Sequence, residues 1–240
     1  MGPVVFFDVA GTLIRVRDGV GAQYAAVAAR FDVAADPSAL EREFPRAFRA
    51  APPMAFPDAP AAAIPGLERE VWRGIVDAVF AGAGLLPRFS PGAFDAYFDA
   101  VYRHFADPAV WDVYPDVVPA LSALGALGCP LGIVSNFDSR VLRILEGLGL
   151  TSRFASVTLS SQVGATKPDP RIFARALACH GAEAARAIHV GDSPVEDVEG
   201  ARAAGLRAVL IDRTGRHANR SDFVRVDSLG ALAGVVRDGK

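Results

Sequence analysis

Lysine is almost missing from this chain. Among its 25 basic residues only Lys167 and Lys240 are lysines, so chemistry that needs a lysine amine has almost nowhere to go. Cysteine is scarce as well. Cys129 and Cys179 are the only two, which excludes a disulfide framework and fits a reducing cytosol. An excess of positive charge is missing too: the net charge is -2 and the pI near 6.1, which excludes a generally basic nucleic-acid binder. The first residues, Met1-Gly2-Pro3-Val4, carry no basic group, and Asp8 interrupts the early apolar run. No export signal is expected from that pattern, and a cytoplasmic location is. The charge-free stretch from Val117 to Phe137 has the length of a membrane span. It is broken by Pro119, Gly125, Gly128 and Pro130, and so reads as a helix over Val117–Leu127 followed by a buried strand over Leu131–Val134. The four histidines, His104, His180, His189 and His217, have no metal-ligand spacing.

What is present is a core-former. The chain is 51% hydrophobic and 22% charged over 240 residues, which suits one large domain or two modest ones and excludes disorder. Short apolar runs without alternation recur at Val4–Phe7, Leu131–Val134, Ser156–Leu159, Ala187–Val190 and Ala208–Ile211. Such runs fit parallel strands covered on both faces. Helical spacing separates the later ones, as in Val141, Leu142, Leu145 and Leu148, or Ile172, Phe173, Ala176 and Leu177. Strand and helix in alternation predict an α/β fold, a Rossmann-like doubly wound parallel sheet. The interval after the first strand reads as all-helical, over Gly21–Arg30, Ser38–Arg49, Leu67–Phe80 and Pro91–Phe105, with a Pro/Ala-rich loop from Ala51 to Pro65. The expected division is a core of residues 1–15 and 111–240 with an inserted helical cap of residues 16–110. Helix starts are marked by the capping box Ser193-Pro194-Val195-Glu196 and by Asp169-Pro170, and Gly205 is a natural stop for the Ser193 helix.

In an open parallel sheet, ligands bind outside the carboxyl ends of the strands. The first strand ends in Asp8, with Ala10-Gly11-Thr12 behind it. The second ends in Ser135-Asn136. Ser160-Ser161 follows the third, with Lys167 a few residues on. The fourth gives Gly191-Asp192 and then Asp197, and the fifth ends in Asp212. Acid, hydroxyl, amine and acid thus arrive in turn at one edge.

Taken together, Phe7-Asp8-Val9-Ala10-Gly11-Thr12-Leu13, Ile133-Val134-Ser135-Asn136, Lys167-Pro168-Asp169 and Gly191-Asp192-Ser193-Pro194-Val195-Glu196-Asp197 resemble the haloacid dehalogenase superfamily. The helical insert is similar to that superfamily's C1-type cap. Ser135-Asn136-Phe137-Asp138 and the run Lys167 to Phe173 look closest to the haloacid-dehalogenase-like hydrolase-domain proteins. The resemblance implies a hydrolase with Asp8 as nucleophile. It implies Ser135 and Lys167 as groups that hold the oxygens of the transferring group. Asp8, Asp192 and the carbonyl of Ala10 would ligate Mg²⁺, supported by Asp197. Gly11, Thr12 and Asn136 would form the substrate-binding loops, with Thr12 and Asn136 positioning backbone near the nucleophile. The expected partner is a small phosphorylated molecule rather than nucleic acid or membrane, and the chain is expected as a monomer or homodimer.

Residue 10 departs from the phosphatase pattern, which carries there a second Asp that protonates the leaving group. Ala10 does not donate a proton, and general acid–base help is commonly worth about 10²–10⁴ in rate. Two other branches lack that Asp. Phosphonoacetaldehyde hydrolase shares Asp-x-Ala-Gly-Thr but needs a cap lysine, and residues 16–110 contain none. The 2-haloacid dehalogenases work without metal and do not keep the acidic pair that Asp192 and Asp197 represent here. A metal-dependent phosphatase-like hydrolase leads, with a dehalogenase or a catalytically weak phospho-ligand binder as alternatives. His189 reads as a packed or backbone-bonded core residue, and Trp72 and Trp111 as core or cap-interface anchors. Arg15, Arg17 and Arg46 are candidates to meet an anionic substrate under the cap.

Overall fold

A computed structural model describes residues 2–238. The strands are β1 (Val4–Phe7), β2 (Ile14–Val16), β3 (Trp111–Val113), β4 (Leu131–Ser135), β5 (Ser156–Leu159), β6 (Ala187–Gly191), β7 (Arg207–Ile211) and β8 (Val224–Val226). The helices are α1 (Val20–Ala28), α2 (Pro37–Ala50), α3 (Ile64–Gly82), α4 (Ala93–His104), α5 (Val117–Ala126), α6 (Arg140–Gly147), α7 (Ser160–Val163), α8 (Pro170–His180), α9 (Gly200–Ala203) and α10 (Leu232–Arg237). Six strands pair in the order β5-β4-β1-β6-β7-β8, every neighbouring pair parallel. Side chains alternate across a strand, so β1 feeds both faces of the sheet. Val5 and Phe7 join the layer built from α5, α6 and α10. Val4 and Phe6 join the layer of α8 and α9. Phe6 and Phe7 are fully buried, worth roughly 1.5–3 kcal/mol each. β1 is flanked by β4 on one side and by β6 on the other. The end of β1 is therefore the switch point at which a parallel sheet opens a crevice.

The helices α1 to α4 have an apolar core of their own, in which Tyr24, Leu40, Val79, Phe80, Tyr97 and Phe98 are buried together. They form a helical cap on the Rossmann-like sheet. The chain enters and leaves this helical region through a two-stranded antiparallel ribbon in which Val16 pairs with Trp111.

Several elements differ from expectation. The ribbon β2–β3 and the edge strand β8 are additional; each is only three residues long, too short for a hydrophobic pattern to declare it. Pro65 lies inside the first turn of α3, where its missing N–H is harmless, so the expected loop ends earlier. The segment after Ser193 begins as a wide π-helical turn over Pro194–Glu199 before α9. Half of the expected capping box forms: the Ser193 hydroxyl accepts from the Glu196 N–H at 3.2 Å, while the Ser193 N–H donates to Asp197 instead of Glu196. Among the described residues no helix is long and apolar enough to cross a membrane. The Val117–Phe137 stretch is α5, a turn, and the buried strand β4.

Helical cap and sheet are locked together by buried polar groups. Glu68 of α3, fully buried, accepts hydrogen bonds from both the backbone N–H and the hydroxyl of Ser139, the residue preceding α6. Trp72 Nε1, on the same helix, donates to Asp138 Oδ2 at 2.6 Å. Arg140 chelates Asp138 and reaches across to the carbonyl of Tyr102 at 3.0 Å. Replacing Glu68 with Ala leaves the Ser139 donors unpaired in the interior. The expected loss of stability is about 1–3 kcal/mol, read as a lowered urea midpoint at unchanged slope; an unchanged midpoint would remove this contact from the account.

Candidate active site

Asp8 sits one residue past the end of β1 and is buried. Its Oδ1 accepts from Ser135 Oγ at 2.9 Å and from Lys167 Nζ at 2.7 Å. Lys167 Nζ also donates to Asp197 Oδ1 at 2.6 Å, so the ammonium lies between two carboxylates in a place almost closed to water. Asp197 is held from behind by His189 Nε2 at 2.9 Å and by the Ser193 N–H at 2.9 Å. His189 is the packed core residue expected, fully buried with its ring edge-on to Phe173, but its polar partner is a carboxylate rather than the backbone. Asn136 clamps the backbone of Lys167 from both sides: its Oδ1 accepts from the Lys167 N–H at 2.7 Å and its Nδ2 donates to the Lys167 carbonyl at 3.0 Å.

Two glycines make the approach possible. A Cβ at Gly11, whose φ is +83°, would stand 2.6 Å from Asp192 Oδ2, and one at Gly191 would stand 2.1 Å from Asp197 Cγ. Any side chain there would push an acid out of the cluster. The turn after β1 is tightened by the Leu13 N–H on the Val9 carbonyl at 2.8 Å and the Gly11 N–H on the Ile14 carbonyl at 2.9 Å. Ala10 is thereby presented to the cavity.

The electrostatics follow from crowding. Burial pushes the Asp8 carboxyl up, the Lys167 ammonium pulls it down, Asp197 pushes it up again, and the net direction is up. Burial opposes the charge of Asp197 as well, yet Lys167 and then His189 hold it well below the usual carboxylate range. Burial likewise opposes the charge of Lys167, but Asp197 and Asp8 keep its proton on more firmly than usual. Asp192 opens onto the cavity on one side, while surrounding protein and the charges of Asp8 and Asp197 push it up to about 7.

Asp8, Asp192 and Asp197 each present an oxygen, and these oxygens lie within 4.8 Å of one another. An all-oxygen set this crowded with negative charge fits a hard divalent cation. The two oxygens of Asp197 already serve Lys167, His189 and Ser193.

A cavity of about 690 Å³ runs from Asp8 up into the helical cap. Asp8, Ala10, Gly11, Ser135, Asn136, Lys167, Asp192 and Asp197 all line it. Thr12 does not: it is fully buried, and its carbonyl accepts from Arg213 at 2.7 Å, which corrects its expected place among the substrate contacts. Asp212 is occupied by the His217 N–H and Arg225. Arg15 lines the cavity, whereas Arg17 pairs with Asp112 and Arg46 with Glu43. Arg140 also lines it and escaped sequence reading, because nothing in its neighbourhood of the chain announces a residue reaching across to the cap. Trp72, expected as a core or interface anchor, is one.

The fold is thus a capped Rossmann-like α/β domain whose acids, hydroxyl and ammonium meet at the carboxyl ends of its parallel strands. Residues 3–205 match the model of the haloacid dehalogenase-like hydrolases, and the chain belongs to that family. It is 37% identical over 205 residues to haloacid dehalogenase-like hydrolase domain-containing protein 3 of Mus musculus, covering 85% of this chain and 80% of the relative. It is 35% identical over 156 residues to phosphoserine phosphatase of Thermus thermophilus, covering 62% of this chain and 60% of that one. Among solved structures, a 2-haloacid dehalogenase from Pseudomonas syringae pv. Tomato DC3000 superposes with a TM-score of 0.65 at 26% identity over the full length of both chains.

Proposed function

We propose that this hydrolase is a Mg²⁺-dependent phosphatase that acts on a small phosphorylated metabolite through an aspartyl phosphate at Asp8. The observation that carries the reading is the arrangement of Asp8 Oδ1 between Ser135 Oγ and Lys167 Nζ, with Asp192 and Asp197 clustered behind it. Residues 1–15 and 111–240 act as the catalytic core in this proposal, and residues 16–110 as the cap that encloses the substrate. With Oδ1 held by two donors, the other oxygen of Asp8 is left to attack phosphorus in line. Ser135 and Lys167 then face the equatorial oxygens and meet their growing negative charge. Asp8, Asp192 and the Ala10 carbonyl would hold the cation, with Asp197 acting indirectly by fixing Lys167 and the Ser193 amide. Bound Mg²⁺ would supply a hard Lewis acid that offsets the repulsion between an anionic phosphate and Asp8. The cap would shield the substrate from bulk solvent during transfer to Asp8, before a water enters to hydrolyse the intermediate.

The test is phosphate release from a chromogenic phosphate ester with Mg²⁺ and after chelation, set beside halide release from a 2-haloacid. Turnover that needs Mg²⁺ and falls with Asp192→Asn supports the proposal. Halide release that ignores chelator would instead make the protein a metal-free dehalogenase, a reading favoured by Ala10 and by the 26% identical dehalogenase structure. Ligand-dependent thermal stabilisation without turnover would make it a phospho-ligand binder.

A further inference from the structure

The walls of the cavity change character between floor and roof. At the floor lie the polar groups around Asp8. Above them the cavity is walled by Val20, Phe44, Met54, Val71, Phe105 and Phe137, among other apolar side chains. Some of the polar groups on this wall are engaged elsewhere. Glu41 accepts from the Gly21 N–H at 2.6 Å, Trp72 donates to Asp138 at 2.6 Å, and Arg140 is held by Asp138. Arg15, Arg49 at the end of α2, and the hydroxyls of Tyr24 and Tyr102 are the polar groups on this wall left for a ligand. A sugar phosphate carries more hydroxyls than these few groups can serve, and each one left against the apolar wall without a partner costs about 1–3 kcal/mol. An apolar ring gains from the same surface, and about 690 Å³ is ample room for one.

The proton inventory around Asp8 points the same way. Two residues beyond Asp8 the cavity meets the methyl group of Ala10. Lys167 shares its protons with Asp8 and Asp197. The nearby carboxyl of Glu196 accepts from Asn136 at 3.3 Å. Beside Asp8, the position two residues on therefore holds no group that protonates a departing oxygen.

Resting on the phosphatase reading, we infer that the substrate is the phosphate monoester of an apolar aromatic hydroxyl compound, an aryl phosphate whose ring lies under the cap. Asp8 forms its bond to phosphorus as the bond from phosphorus to the aryl oxygen breaks, and the electron pair leaves on the phenolate. A phenol ionises near pH 10 and an alkyl alcohol nearer 16, on the order of tyrosine and water respectively, so the phenolate departs without an acid. Water then adds to phosphorus, the bond to Asp8 breaks, and the carboxylate returns. One water proton stays on the released phosphate and the other passes through solvent to the phenolate.

The test is a set of four phosphates hydrolysed by the wild-type protein in Mg²⁺: phenyl phosphate, cyclohexylmethyl phosphate, acetyl phosphate and glycerol phosphate. These separate size from leaving-group quality. The expected result is that kcat/KM for phenyl phosphate exceeds that for cyclohexylmethyl phosphate by about 10²-fold or more, the worth of a missing acid. Acetyl phosphate, a good leaving group without a ring, should turn over with a KM about tenfold or more above that of phenyl phosphate, from the lost burial. In Ala10→Asp the gap between phenyl and cyclohexylmethyl phosphate should narrow about tenfold or more. Phosphate release at similar kcat/KM from the alkyl and phenyl esters, or best from glycerol phosphate, overturns this inference while the phosphatase reading stands. No phosphate release from any of the four overturns both.

Discussion

Asp8→Asn is expected to lower kcat by about 10⁴-fold or more on any substrate the protein turns over, because an amide oxygen is a poor nucleophile. The same variant should be at least as stable as the wild type near neutral pH. Burial raises the carboxyl of Asp8 above its ordinary value. A group whose folded pKa is raised stabilises the fold at low pH and loses that contribution as pH rises through the folded value. The ionised Asp8 therefore weighs against folding at pH 7, and an uncharged amide that still accepts from Ser135 removes the burden. Activity and thermal stability measured side by side check both halves. Lost activity with an unfolded protein would say nothing of chemistry; lost activity with a retained or raised melting temperature identifies Asp8 as the reacting group. Retained turnover would remove Asp8 from the mechanism. In the wild type, acid quenching during turnover should yield protein heavier by one phosphoryl group, located at Asp8. With an alanine at residue 10, water attack has no general base two residues from the nucleophile, so this intermediate should accumulate.

The floor of the site was legible because parallel strands deliver their ends to one edge. A four-residue apolar run followed by Asp8 and a five-residue run ending in Ser135 are local signals, and parallel pairing of β1 with β4 and β6 converts them into proximity. The same logic failed for Thr12, which follows the strand just as Gly11 does. The turn after β1 rotates it inward to the core, and which residues a tight turn exposes is a matter of backbone angles that composition does not reveal. The π-helical turn was invisible for a related reason. Ser193 and Pro194 start an α-helix and a wider one equally well, and the choice follows from Asp197 reaching Lys167 and His189 through space. Glu68 and Ser139 are 71 residues apart in the chain, and neither carries a pattern that names the other. The helices of the cap were legible from apolar spacing, but the cavity they enclose is a property of how they pack.

Lys167→Met is expected to cost about 3–5 kcal/mol of stability at pH 7, the usual result of removing one partner from a buried charge pair. The ammonium is 1% exposed and within 2.7 Å of Asp8 and 2.6 Å of Asp197. Without it two buried carboxylates face each other, and Asp197 keeps only His189 and the Ser193 amide. In the wild type the Asp197 carboxyl is depressed by Lys167 despite burial. That contribution is present above the ordinary carboxylate pKa of 3.8 and is lost as pH falls through the depressed value. In the variant the orphaned carboxylates take up protons readily instead. The stability gap between wild type and Lys167→Met should therefore be widest near pH 7 and narrow toward pH 4, as followed by denaturant unfolding at each pH. Catalysis should fall by about 10²–10³-fold beyond any loss of folded protein, as when a donor to a developing anion is removed. Lys167→Arg should restore little of either. A planar guanidinium does not present a point charge to carboxylates on two sides within a space closed to water. That geometry also gives a reason for a lysine here in a chain that uses arginine for nearly every other positive charge. An arginine variant with full activity, or a methionine variant as stable as the wild type at pH 7, would show that the ammonium is not what holds the two acids together.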